Sequence, residues 1–266
     1  MPGTSFRPDV NGFAFATYWQ FDETETAQIR TLLRESLSAT NTLSMFLPAS
    51  PLVLPWLGQV RKNLTGCIDQ ALIHPYGLCG GMAYAALDYY AHPDQHFPRG
   101  TDPNHQPLRD TPGGTALRDY LWRRLIDSLA ANVSTFLLWM AFLNAMPNHP
   151  LVRGGPAWLA KQSAKQLQTL KQSIDSGRPW PLGLVGTTTD PTLNHQVVTY
   201  GYEEGSNGTS TLYLYDMNCP GGEHTIQIAF EGQGLKVTES CQDDRRAGHL
   251  PAHRAGADPC RRGRSG

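Results

Sequence analysis

No stretch of the 266-residue chain is apolar enough to cross a bilayer. The longest candidate, Val133 to Met146, is about 14 residues long, against the ~20 that a spanning helix needs, and Ser134, Thr135 and Asn144 interrupt it. The stretch from Met1 to Phe21 carries Arg7, Asp9 and Asn11 and lacks the apolar core of a signal peptide. An excess of charge of one sign is also missing. Lys and Arg total 22 against 23 Asp and Glu, a net charge of −1, so no broad basic field points to nucleic acid or an anionic membrane as partner. Cysteine is sparse, five residues at irregular spacing, which does not describe a secreted disulfide framework. Together these absences favour a cytoplasmic setting.

Cofactor signatures are lacking as well. His92-Pro93-Asp94-Gln95-His96 and the pair Cys219 and His224 hold metal-ligand types, yet neither is joined by a second pair at zinc spacing. Gly113-Gly114 and Gly221-Gly222 have neither the following lysine nor the strand-to-helix context of a phosphate loop. The expectation is no metal and no cofactor.

What is present describes a folded body: 40% hydrophobic and 17% charged residues. Helical periodicity comes first. Asp22 and Glu25 have capping-box spacing ahead of Ile29, Leu32, Leu33 and Leu37. A buried helix is expected from Met82 to Ala91, a long one from Thr115 to Ala145, and another from Pro156 to Ser176, closed by Gly177 and Pro179. The proline-rich stretch between, His92 to Gly114, reads as a long loop able to wall a site. The pattern then becomes alternating, with strands expected at 182–185, 196–202, 211–215 and 225–230 and a hairpin turn at Asn207-Gly208. Helices followed by an antiparallel meander make an α+β fold. Residues 1–240 are expected to form one domain. Residues 241–266 hold six arginines, three aspartates and a lone Leu250, and are expected to be a disordered tail.

Three residues stand out as chemistry. Cys79 follows Pro75-Tyr76-Gly77-Leu78 and opens a helix, where unpaired amides and the helix dipole favour a thiolate, the reactive form. Gly80 and Gly81 leave space beside it for a substrate carbonyl. His195 opens a strand and is suited to accept the thiol proton. Asp216 ends the strand paired with it, in position to orient the imidazole as the third member of a triad. Asn218, two residues on, is the alternative orienter. Taken singly, a helix cysteine is most often a small hydrophobe and a histidine at a strand start is most often structural. The weight lies in the combination.

Pro75-Tyr-Gly-Leu-Cys79-Gly-Gly-Met, then Asn194-His195-Gln-Val-Val-Thr-Tyr-Gly-Tyr, then Leu212-Tyr-Leu-Tyr-Asp216-Met-Asn218-Cys-Pro resemble a papain-like cysteine peptidase. The similarity is greatest to the bacteriocin-processing peptidases that remove double-glycine leaders, and to their bacterial relatives. It covers roughly residues 64–230, with a longer helical insert between Cys79 and His195 than the minimal peptidases have. The resemblance implies a helical half bearing the nucleophile, a sheet half bearing His195 and Asp216, no metal, and a peptide or amide substrate. Such a protein is a cysteine-dependent hydrolase or acyl transferase; the alternative is a non-catalytic module binding a peptide or small ligand in the same cleft. The family's oxyanion glutamine, a few residues before the cysteine, has no direct counterpart. Ile73 stands six before, and Gln70, nine before, is the candidate. A sheet continuing beyond Val237 is also not evident.

Overall fold

The computed structural model describes residues 3–17, 21–38, 62, 65–66, 78–99, 107, 110–140, 155–185, 194–232 and 234–241. Its elements are α1 (Pro8–Asn11), α2 (Glu23–Ser38), α3 (Cys79–Ala91), α4 (Pro112–Met140), α5 (Gly155–Asp175), then β1 (Trp180–Leu184), β2 (His195–Glu204), β3 (Thr209–Tyr215), β4 (His224–Glu231) and β5 (Gly234–Glu239). The strands form one antiparallel sheet in the order β1-β2-β3-β4-β5. The fold is α+β, N-terminal helices packed on a C-terminal meander.

Local chemistry sets the element ends. The Asp22 carboxylate accepts from the Glu25 N–H at 2.8 Å, and Glu25 accepts from the Asp22 N–H at 2.9 Å, a reciprocal capping box that starts α2. α4 begins three residues earlier than its apolar period, because the Thr111 hydroxyl accepts from the Gly114 N–H and Pro112 occupies the first turn. α5 closes at Gly177, whose φ of 81° lies in the left-handed region glycine tolerates. Gly208, at φ 74°, does the same for the turn from β2 to β3.

β5, like the short α1, is missing from the sequence expectation. Only Leu235 and Val237 alternate there, too short a pattern to register as a strand, yet residues 234–239 pair along β4 from Glu231↔Gly234 to Ile226↔Glu239. Cys241, expected as the first residue of the tail, instead belongs to the folded body. Cys241 is buried and disulfide-bonded to Cys219, with Cα atoms 6.0 Å apart. Residues 242–266 and the expected continuation of α4 through Ala145 lie outside the described residues.

The sheet separates two cores. On one face Val198 and Tyr215 meet α3, α4, Ile29 and Leu33 of α2, and Phe6, Phe13 and Phe15 of the N-terminal segment. On the other, Val197, Leu212, Leu214 and Ile226 meet Leu167, Leu170 and Ile174 of α5. Adjacent Val197 and Val198 point to opposite faces, as strand alternation requires. The N-terminal segment crosses the first core as a strap: the Thr4 N–H bonds the Tyr200 carbonyl at 2.8 Å, and the Phe13 N–H bonds the Tyr215 hydroxyl at 2.9 Å.

α3 and α4 approach closely because α3 begins with glycines. A Cβ on Gly81 would lie 2.1 Å from the Leu121 carbonyl oxygen, and one on Gly80 would lie 2.9 Å from the Gln196 side-chain oxygen and 3.1 Å from the Ser128 hydroxyl. Both glycines are buried. They serve helix packing, where the sequence suggested open space for substrate. The described part of the proline-rich loop is likewise placed elsewhere than expected. Phe97 stacks on Tyr120 and tilts against Tyr89, near the C-terminal end of α3. Cys79 is at the other end, about 15 Å away at 1.5 Å per residue.

Candidate active site

α3 presents Cys79 as its first residue. Leu78 is the capping residue, fully buried, and its N–H donates to the Thr17 hydroxyl at 2.6 Å. The first intrahelical bond runs from the Met82 N–H to the Leu78 carbonyl at 2.8 Å. The amides of Cys79, Gly80 and Gly81 therefore precede the intrahelical ladder, at the positive end of the helix dipole. Cys79 is half-buried and not disulfide-bonded, whereas a purely structural cysteine is usually fully buried.

β2 presents His195 as its first residue, opposite Leu184 of β1. Asp216 follows the last residue of β3, Tyr215, which pairs with Val198 of β2. The hairpin thus returns the carboxylate to the histidine. His195 Nε2 lies 2.9 Å from Asp216 Oδ1, with the two side chains 8% and 2% exposed. The same Oδ1 accepts the Asn218 N–H at 2.9 Å, and the Cys219 N–H bonds the Asp216 carbonyl at 3.1 Å. Asn218 thus meets Asp216 through its main chain, while the Asp216 carboxylate contacts the ring.

The Cys79 sulfur is the other neighbour that acts on the His195 ring, favouring its charged form. Burial pushes the imidazole pKa down, but the Asp216 carboxylate, as hydrogen-bond partner and charge, and the Cys79 sulfur outweigh it and raise the value to about 9. A histidine so placed is favoured in its charged form, which can hold a thiolate. This arrangement can form a nucleophile and carry a proton to a leaving group.

Two further contacts at the site had no sequence signal. The Ser128 hydroxyl of α4 donates to the Gln196 side-chain oxygen at 2.6 Å, directly over Gly80. Thr17 lies in a segment with no motif and is reached only through the fold. Gln70 lies outside the described residues. The Cys219 and His224 pair is occupied without metal: Cys219 is in the disulfide, and a His224 ring nitrogen bonds the Cys219 carbonyl at 2.8 Å. Among the described residues no group of three His, Cys, Asp or Glu could hold a metal ion, and no helix is long and apolar enough to cross a membrane. Comparison of the chain with family models, curated proteins and solved structures gave no match.

Proposed function

We propose that the protein is a cysteine-dependent hydrolase or acyl transferase acting on amide bonds, peptide bonds foremost, with a papain-like division of labour between helix and sheet. The observation that carries the reading is the buried His195 between Asp216 and the Cys79 sulfur. The Cys79 thiolate adds to the carbonyl carbon. Collapse of the adduct breaks the C–N bond while the His195 imidazolium gives its proton to the departing amine. Water then attacks the thioester, His195 takes a proton from it, the C–S bond breaks, and a carboxylate leaves. An amine in place of water gives acyl transfer. Asp216 keeps the ring oriented and supports its charge. The Cys79 amide supplies one donor to the oxyanion, and Gln70 is the candidate for a second.

The Cys219–Cys241 disulfide fits an oxidising compartment better than the cytoplasmic setting expected from the sequence.

Substoichiometric iodoacetamide at neutral pH, followed by peptide mapping, tests the nucleophile. Cys79 is expected to label first, and labelling slows sharply in His195→Ala. Incubation with a mixed peptide pool tests turnover: new termini are expected with the native protein and none with Cys79→Ala. Even labelling of the thiols with no new termini overturns the hydrolase and favours the peptide-binding module.

A further inference from the structure

The two halves of the site arrive from distant parts of the chain, and one buried residue bridges them. Thr17 is 7% exposed. Its hydroxyl accepts the N–H of Leu78, the residue before Cys79, at 2.6 Å. Its own N–H donates to the carbonyl of Met217, the residue after Asp216, at 3.2 Å. Leu78 and Met217 are both fully buried. Water cannot replace either bond there, and a lost partner leaves a polar group unsatisfied.

We propose that Thr17 is a positioning residue for the reaction, a two-point brace that sets the start of the Cys79 helix against the turn carrying Asp216. The inference rests on the proposed function. The thiolate–imidazolium pair is sensitive to the separation of the Cys79 sulfur and the His195 ring. Asp216 fixes the ring, and Leu78 fixes where the helix begins. The strap holding Thr17 is itself anchored at the Tyr200 carbonyl and the Tyr215 hydroxyl, so the brace is tied to β2 and β3 and moves with the sheet. Only the hydroxyl bond depends on the side chain, and substitution can therefore sever one end of the brace and leave the other.

The test is the rate of Cys79 alkylation by iodoacetamide from pH 4 to 10, read by mass spectrometry of the Cys79 peptide. Native protein, Thr17→Val, Thr17→Ala and Thr17→Ser are compared, with melting temperatures recorded alongside. The native midpoint is expected well below the ordinary thiol value of about 8.5. Thr17→Ser keeps the hydroxyl and the native midpoint. Thr17→Val, which is nearly isosteric, raises the midpoint by about one pH unit, a roughly tenfold lower rate on the acid side. Thr17→Ala does the same and stands in if the valine variant does not fold. A lowered melting temperature with an unchanged midpoint in both overturns the inference and leaves Thr17 a packing residue. A native midpoint already at about 8.5 overturns the proposed function, and the brace with it.

Discussion

His195 is nearly buried, yet it is the charged form of the ring that its neighbours stabilise. The sign of the pH dependence follows from that. The folded pKa of about 9 lies above the ordinary histidine value of about 6.5. The stabilisation is therefore complete below about pH 6.5 and is lost as pH rises through 9. Thermal melts at pH 6.5 and 9.5 check this: the native protein is expected to lose more stability over that interval than His195→Ala. Equal losses would remove the ion pair from the account. Turnover carries the same signature, because a leaving amine needs the imidazolium proton, and an alkaline limb near pH 9 is expected. Asp216→Ala removes the acceptor for both the ring and the Asn218 N–H. Turnover is expected to fall by at least ~100-fold, the range for a disturbed acid–base group. A fall of less than threefold would show that the ring needs no orienter.

At the scale of elements, α3 on α4 is the contact that tolerates least change. Gly81→Ala would push a methyl group against the Leu121 carbonyl, which is backbone and cannot swing aside. It is expected to cost about 1–3 kcal/mol, although alanine is the better helix former. Gly113, in the first turn of α4, has nothing within 4 Å of an added Cβ, and Gly113→Ala is expected to be neutral or stabilising by up to ~1 kcal/mol. Urea unfolding of the two variants separates packing from propensity; equal effects would contradict the close approach. These glycines also mark where sequence reading stops. That Cys79 starts a helix, that His195 starts a strand and that Asp216 closes the neighbouring one were all legible, because periodicity and an Asn-Gly turn are local signals. The reason for Gly80 and Gly81 was not legible, since it depends on Leu121, Ser128 and Gln196 arriving from elsewhere. β5 was hidden for a similar reason: its pairing with β4, rather than its own pattern, makes it a strand.

Over the whole molecule, residues far apart in sequence converge on the site through buried polar contacts. Thr17, Leu78, His195 and Asp216 come from the strap, the residue before α3, β2 and the end of β3. The contacts of Thr17 follow from no local pattern, which is why Thr17 was invisible beforehand, while the helix and strand ends carrying Cys79, His195 and Asp216 were not. The Cys219–Cys241 disulfide joins the turn after Asp216 to the end of β5, across a sequence separation of 22. Loop-closure entropy gives it about 3 kcal/mol of stabilisation. The double variant Cys219→Ser, Cys241→Ser is expected to lose roughly that amount in chemical denaturation and to respond less to added reductant. Unchanged stability would argue against the bridge.

Asp216 and the Cys79 sulfur are expected to keep His195 charged at neutral pH. An NMR titration of the His195 imidazole measures this directly. A pKa of about 9 is expected in the native protein, with a clear drop in Asp216→Ala. A native value at or below the ordinary histidine value of about 6.5 would contradict it.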